Sequence, residues 1–545
     1  MAMKVHNWPW GSRTVGMIKL PTVTLLAGCL FLSCSWIGCR KEVVALPEFD
    51  ASCVNPSGSD LVRQIELFCG DCHTLPRPEA FPRDRWPAEV RIGYEQYARS
   101  GRNDLAPPPI AAVINYYCQQ APEKIAFSLP EDQGGELARH FLSEDVDWNP
   151  NENQVPAVSG LLWSSLEPSA QGWLIVSDMR EGTVRALAFG QDALAVRLLA
   201  HAEFPCRVER CDLDGSGRWG FVIADLGSFF AVDHDRGKVL WLKPSHQEGA
   251  YETVTLASRL GRIDDVRVAD FDGDGDQDIL VAEFGHYHTG GILFLEQQAR
   301  SDGQLTFVRH RLDLRTGTIH VPVFDFNGDN RPDFVALISN ESESLDLFVN
   351  LGKKKFLARP IWRAPDLTFG SSGIELSDLD GDGDQDILYT NGDTFDNLYA
   401  NPSHGLQWLE NIGANGFQYH RLVTLPGAYR ALAADLDGDG DQDIVLSSWL
   451  SRNVKPANLR TMPIPSVLLL EQINSKEFRV QVLDRDWPQY PVLEVADLDG
   501  DGDLDIVAGR HVGLDDPAGV NLPRLRVWWN QKVPGRKPNS DKPSE

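Results

Sequence analysis

A chain of 545 residues exceeds what one compact core usually holds, so it divides into domains or builds one large repeat architecture. Its formal charge of -27, with no cluster of Lys and Arg, excludes nucleic acid, whose phosphates are held by concentrated basic side chains. Much of the acid is periodic aspartate, which points to bound cations rather than to a solvated face.

The first element is a targeting signal: Lys19, an apolar run over 20–38, then Arg40 and Lys41. Cys29, Cys34 and Cys39 each follow a small residue there, the pattern of a lipoprotein signal. We place the lipidated residue at Cys39, so that 1–39 is the signal segment and the mature chain is extracytoplasmic, held to the membrane by its lipid in the periplasm or at the cell surface. An uncleaved anchor helix or plain secretion is the alternative. No other stretch reaches the ~18 apolar residues of a membrane span. Export leaves Cys53, Cys69, Cys72, Cys118, Cys206 and Cys211 in a compartment that permits disulfides.

Next comes Cys69-Gly70-Asp71-Cys72-His73. C-x-x-C-H is the spacing of covalent haem attachment, in which two thiolates add to the haem vinyl groups and the adjacent His ligates iron. A thioredoxin-like pair would want a strand before it and a helix after it, and a zinc ribbon a second C-x-x-C; neither context is present. Ser59 caps a helix over 60–68 with Leu61, Ile65 and Phe68 on one face, leading into the motif. Prolines at 107–109 precede a second helix over 110–120, with Val113, Ile114 and Tyr117 apolar. Between Met17 and Met179 there is no Met, and between His73 and His140 no His, so the usual sixth iron ligand is missing. Iron is then five-coordinate, or met by Tyr94, Tyr97, Tyr116 or Tyr117, or by a residue of the second domain. Cys53 and Cys118 bracket the segment and are candidates for a disulfide joining its ends.

Over residues 48–128 this arrangement resembles the class I cytochrome c domain. The resemblance implies a small all-α fold around haem c, attached through Cys69, Cys72 and His73, and too small to fold well without it.

From residue 205 a repeat dominates. Asp270, Asp272, Asp274, Asp276 and Asp278 alternate with Phe271, Gly273, Gly275 and Gln277, and the pattern recurs over 378–386, 435–443 and 497–505. A variant over 325–333 has Asn327 at position three and Asn330 at position six. A degenerate copy keeps Asp212 and Asp214 but has Ser216 and Gly220 at positions five and nine. Oxygens at alternate positions of a tight loop converge only where glycine lets the backbone turn between them, which suits a hard cation such as calcium. Positions one, three, five and nine give the candidate ligand sets Asp270, Asp272, Asp274, Asp278; Asp325, Asn327, Asp329, Asp333; Asp378, Asp380, Asp382, Asp386; Asp435, Asp437, Asp439, Asp443; and Asp497, Asp499, Asp501, Asp505.

Short β runs flank each loop, and two further apolar pieces follow, so each unit reads as a four-stranded propeller blade. Six units carry aspartate loops and a seventh, over 158–203, carries none; the expectation is an all-β, seven-bladed propeller over 136–530 behind the small all-α domain. The last unit lacks an outer strand, and 137–142 looks like an orphan one, so residues 136–143 are expected to complete it. The tail, 531–545, is polar and reads as disordered. These motifs resemble the FG-GAP or VCBS repeats of integrin-α-like propellers, over 150–530.

The aspartate turns occupy one face. Residues five before position one (Arg207, Asp265, His320, Gly373, Arg430, Val492) and five after position nine (Asp225, Glu283, Ile338, Asn391, Ser448, Arg510) are expected to ring the opposite end of the central channel, where long loops follow. A protein or redox partner is expected on that face. The function expected is electron transfer or redox-linked docking by an exported protein that binds haem c and calcium. A haem-dependent oxidoreductase, dehydrogenase or peroxidase-like, with its substrate at that face, is one alternative; an adhesion or assembly protein is the other. No catalytic residue stands out.

Overall fold

In this computed structural model the described residues run from 59 to 531, leaving out Cys72 and positions 150–154, 167–171, 191–193, 246–248, 299–303, 341, 396, 414–415, 514–515 and 517–520. The 1–39 signal, Cys53 and nearly all of the tail lie outside them.

Seven antiparallel sheets form the propeller. We number the blades in chain order over residues 158–201, 205–260, 263–313, 318–363, 371–424, 428–484 and 492–530. In blades 2 to 7 the second strand is buried along its whole length, as in Asp278–Glu283, Asp386–Asn391 and Asp443–Ser448. Both of its faces pack on neighbouring sheets, so it reads as an unbroken apolar run rather than an alternating one. Outer strands such as Thr306–Asp313 have no buried residue. The apolar clusters lie between blades. Phe271 and Phe294 of blade 3 meet Phe334 and Phe348 of blade 4, while Val281 and Leu295 of blade 3 meet Val222 and Trp241 of blade 2. Each such side chain contributes about 1.5–3 kcal/mol, and only when its neighbour is in place.

Blade 7 is completed from the other end of the chain. Strand β1 (Phe141–Val146) pairs with β29 (Leu525–Asn530), outside β28 (Asp505–Gly509) and β27 (Val492–Ala496), with Phe141 opposite Asn530 and Val146 opposite Leu525. The closing strand therefore starts later than the 136–143 expected from sequence. Leu137–His140 forms a 3-10 turn instead. Leu137 is buried in the seam of blades 6 and 7, and Gln481 Oε1 accepts the Ala138 N–H at 3.0 Å, so the chain crosses that seam before it pairs.

Charge locks the closure. Asp145 accepts from Arg510 at 2.7 Å and Arg526 at 2.8 Å, and Arg524 donates to Asp147 at 2.7 Å. Arg524, 3 % exposed, also lies 3.7 Å from Asp178 and from Glu181 of blade 1, so one guanidinium joins the closing segment to both sides of the ring.

Ahead of the propeller stand α1 (Ser59–Cys69), α2 (Trp86–Arg99) and α3 (Ile110–Gln120). The first and last match the expected helices; α2 was not foreseen. Its buried positions are only Trp86 and Val90, too sparse for a visible apolar stripe, and a proline stands in its first turn. Trp86 stacks on Tyr117 at 3.9 Å, and Ile65, Phe81, Val113 and Ile114 fill the rest of this small core. The helical unit docks on blade 5, with Phe81 edge-on to Tyr399 at 5.4 Å and Arg85 over the same ring at 5.2 Å. Arg77 lies 3.9 Å from Asp366. The chain then runs beside blade 6, where Gln133 N–H donates to Val480 O at 2.9 Å. Among the described residues no helix is long and apolar enough to cross a membrane.

Removing a guanidinium from buried carboxylates strands them, so Arg524→Ala should destabilise the folded chain by about 3 kcal/mol. Urea melts of Arg524→Ala and of a surface control such as Arg99→Ala measure this; equal midpoints for the two would show that the latch carries no load.

Candidate functional site

The C-x-x-C-H motif begins at the last residue of α1. Gly70 N–H donates to Glu66 O at 3.0 Å, and a Cβ at Gly70 would meet that same oxygen at 2.5 Å, so only glycine lets the chain turn so tightly off the helix. Arg102 then fixes the motif loop, reaching Asp71 and Asp104, each at 2.7 Å. Cys69 is half-buried in the small core, and burial pushes its thiol up to about 11. His73 Nδ1 donates to Thr74 O at 2.9 Å, which leaves the Nε2 lone pair available to a ligand. Cys72 lies outside the described residues. Of the tyrosines considered for iron, Tyr94 donates to Pro108 O at 2.6 Å and Tyr97 to Leu105 O at 3.2 Å, so both are committed to the α2–α3 connection. The Tyr117 hydroxyl is buried with no hydrogen-bond partner among the described residues. Burial raises Tyr117, and Cys69 nearby raises it further. Cys118 Sγ donates to Arg83 O at 3.4 Å.

The aspartate loops share one geometry. Asp270 accepts N–H groups of Gly273 at 2.8 Å and Gly275 at 3.0 Å, and both glycines have left-handed φ, +82° and +95°. Asp435 and Asp497 repeat the pattern. In the variant loop Asn330 takes φ +62°, a region Asn enters more easily than other non-glycine residues. Oxygens of Asp270, Asp272 and Asp278, of Asp378, Asp380 and Asp382, of Asp435, Asp437 and Asp439, and of Asp497, Asp499 and Asp505 converge to within 4.8 Å in each set. Such triads can hold a metal ion. Position nine has a second task. Asp278 accepts N–H groups of Phe271 at 3.1 Å and of Gln297, on the third strand, at 2.8 Å. Asp333, Asp386, Asp443 and Asp505 are gripped the same way by Asn350, Asn411, Gln472 and Asn530. Burial, followed by backbone bonding and neighbouring carboxylates, leaves Asp278 and Asp505 near 7, Asp386 near 6 and Asp443 near 8.

Those third-strand amides do more than sequence reasoning foresaw. Asn350 donates across to Phe271 O in the loop of blade 3 at 2.8 Å, Gln472 to Leu379 O in blade 5 at 2.7 Å, and Asn530 to Leu436 O in blade 6 at 2.9 Å. With its amide turned to donate, Gln297 reaches Leu213 O in blade 2 at 3.2 Å. The loops of blades 2, 3, 5 and 6 are thus each clasped to the next blade. The visible signal was a lone Asn or Gln ending an apolar strand, which has no meaning until the neighbouring loop is in place.

The channel residues divide in two. Arg207, Asp265, His320 and Arg430 do face the channel, where Asp265 lies 3.1 Å from Arg267 and 3.6 Å from both Arg207 and His320, and Arg430 lies 2.6 Å from Glu375. The second set does not form a mouth. Asp225, Glu283, Ile338, Asn391, Ser448 and Arg510 are all at least 96 % buried. They brace loops instead: Asp225 accepts the Phe204 N–H at 2.9 Å, and Asn391 donates to Phe369 O at 2.9 Å and Ser403 O at 3.0 Å. The end of a second strand is enclosed by its own loops, so counting along the chain misplaced them.

The mouth itself is aromatic. Phe395 stacks on Trp449 at 4.0 Å, Trp449 meets His511 at 6.1 Å, and His511 meets Phe229 at 5.7 Å, bringing loops of blades 5, 6, 7 and 2 together. Arg180 of blade 1 caps the Phe229 ring at 5.1 Å. Phe230, Phe395 and Tyr287 remain 45–53 % exposed on this side. Asp233 shapes the loop that carries His286 and His288, accepting the N–H groups of His288 at 2.8 Å and Thr289 at 2.9 Å. Neither histidine joins a group of metal-ligating side chains among the described residues. The thiols Cys206 and Cys211 are core groups of blade 2; Cys206 donates to Ile263 O at 3.3 Å.

The family comparison agrees with this architecture. Residues 325–389 match the family of FG-GAP-like repeats, and the chain forms a seven-bladed β-propeller. The T-cell immunomodulatory protein of Mus musculus is 26% identical over 282 residues, 46% of this chain and 42% of the relative, so the chain spans less than half of that relative's length. The crystal structure of BBS1N in complex with ARL6DN aligns with a TM-score of 0.41 at 10% identity, covering 72% of this chain and 97% of that chain.

Burial holds His404 and His511 down to about 3, and Arg421 and Arg180 respectively push them the same way. A folded-state pKa below the unfolded value contributes stability that is present above about 6.5 and lost as pH falls toward 3. Each histidine should therefore contribute a loss of about 1.4 kcal/mol per pH unit below pH 6.5 to the melt profile, against the opposite contribution of the raised position-nine aspartates. His511→Gln should flatten that slope; an unchanged slope would remove the mouth histidine from the account.

Proposed function

We propose that the chain is a calcium-stabilised propeller carrying a covalent haem on its helical unit, and that it serves electron transfer or redox-linked docking. The observation that carries the haem reading is the hydrogen bond from His73 Nδ1 to a backbone carbonyl. A metal-bound imidazole is nearly always oriented by such a bond from its other nitrogen. Cys69 stands in the core beside Tyr94 and Tyr117, whose buried hydroxyl has no hydrogen-bond partner among the described residues. Cys69 and Cys72 would hold the haem and His73 its iron, and the group would supply a one-electron couple. The residues here orient and shield it: Arg102 fixes the motif loop through Asp71, and Phe81 and Arg85 seat the unit on Tyr399.

Calcium is proposed for the five loops; in four of them, all but that over 325–333, carboxylates crowd together, and burial raises position nine. A divalent ion relieves that crowding and lets the loops join strands one and two of each blade. The loop-side mouth is proposed as the partner surface, since exposed aromatic rings beside arginine are the usual anchors of protein interfaces. The same aromatic collar supports the second reading, an adhesion or assembly protein, because it needs no redox group. Lipid anchoring at Cys39 and an extracytoplasmic location are proposed from the N-terminal signal.

Protein matured with the covalent haem machinery should keep a haem absorption band through acid–acetone extraction, and Cys69→Ala with Cys72→Ala should lose it. A wild-type chain with no such band would leave the assembly reading standing alone. For the metal, chelation should lower the melting temperature by at least about 10 °C, and Asp274→Ala should cost more than Asp214→Ala. Identical melts with and without chelator would reject calcium.

A further inference from the structure

Blade 2 carries the degenerate loop, and its departures from the others fit one another. Its backbone is unchanged: Ser216 and Gly217 N–H groups donate to Asp212 at 3.0 and 2.8 Å, as Asp274 and Gly275 do to Asp270 in blade 3. Gly215 and Gly217 keep left-handed φ, +64° and +77°. What differs is everything that serves position nine. In blade 3, Ile279 pairs with Leu295, which sets Asp278 opposite Glu296 and puts the Gln297 N–H on the Asp278 carboxylate. In blade 2, Phe221 pairs with Leu242, so Gly220 replaces Asp278, Lys243 replaces Glu296 and Pro244 replaces Gln297.

Each replacement removes a part whose partner is also gone. Proline has no N–H to give to a carboxylate, and Gly220 has no carboxylate to receive it. The strand has closed over the vacated place. A Cβ at 220 would lie 2.5 Å from Leu242 O, 2.8 Å from Trp241 Nε1 and 3.1 Å from Pro244 Cδ, so no aspartate fits there. Into the remaining acid, Lys243 projects an ammonium 3.9 Å from Asp214 Oδ2 and 5.3 Å from the centre of the Trp241 ring. A lysine also approaches the loop of blade 3, but differently. Lys354 belongs to the next blade, bonds Glu296 and lies 3.6 Å from Asp272, while the carboxylate set including Asp278 is complete.

We propose that in blade 2 the ammonium of Lys243 takes the place of the metal ion, so that the ring holds five divalent cations and one built-in cation. Blade 2 then folds without metal, and with loop-free blade 1 it forms a metal-independent arc. The helical unit docks elsewhere, on Tyr399 of blade 5 and beside Lys455 of blade 6, whose loops are of the metal-binding kind. Loss of calcium therefore loosens the side of the ring that seats the helical unit and spares the other. This inference rests on the calcium reading of the five complete loops.

Hydrogen–deuterium exchange of the full chain, with calcium and with chelator, tests it. Peptides spanning 270–278, 378–386 and 435–443 should exchange at least about tenfold more slowly with calcium, and those spanning 212–220 at the same rate in both. Lys243→Met should speed exchange over 212–220 equally in both conditions. Calcium protecting 212–220 as strongly as the other loops overturns the inference alone, as does Lys243→Met exchanging like wild type there. Calcium protecting none of the loops overturns the calcium reading and this inference with it. Should Lys243→Met fail to fold, the wild-type comparison over 212–220 decides.

Discussion

A ring of sheets has no self-sufficient part. Every blade buries its broad faces only against the blades beside it, so the apolar energy of Phe271, Phe294, Phe334 and Phe348 exists only while blades 3 and 4 are in contact. The same dependence runs around all seven sheets and ends at one seam, where β1 must return from far away in sequence to cover β29. Closure orders the whole molecule. It also explains why the strongest ion-pair set, Arg510, Arg524 and Arg526 with Asp145 and Asp147, sits at that seam rather than being scattered. Non-local pairing of this kind must offset a large loop-closure entropy, and buried charge pairs give it a single register.

Acid is the second organising element. Aspartates that would repel one another in a coil are gathered at one end of every blade from 3 to 7, and position nine is placed where strand three can hold it by a backbone N–H. Amide side chains that end third strands tie the loops of blades 3, 5 and 6 to the blade beyond. A change in one loop is thereby felt by its neighbour, through hydrogen bonds rather than through shared ligands. On this face the polar groups are used to hold the ring together. The opposite face is left to present side chains outward, the helical unit on one flank and the aromatic mouth beside it.

Inside the channel Asp265 is surrounded by Arg207, Arg267 and His320. Asp265 is held well below the usual carboxylate range, because Arg267, His320 and Arg207 together outweigh its burial. Burial keeps His320 neutral in spite of Asp265. A channel lined this way is a polar core.

The aspartate loops, the number of blades, helices α1 and α3 and the need for a strand from before the propeller were all legible in the chain, because each depends on spacing within a few residues: glycine between carboxylates, apolar alternation, a proline ahead of a helix. Where the closing strand begins was not legible, since Leu137 is claimed by blade 6 and only the folded seam reveals it. Helix α2 was hidden because two buried side chains, Trp86 and Val90, leave no periodic stripe. The second channel ring failed for a related reason: distance along a strand does not say whether loops will cover its end, and they cover Asp225, Glu283 and Arg510. Sequence alone determined which residues can make a blade and its acidic turn. Tertiary structure decided which of them meet, because the clasp from Asn350 to Phe271, the mouth joining Phe229 to His511, and the approach of Lys243 to Asp214 depend on strands being laid side by side.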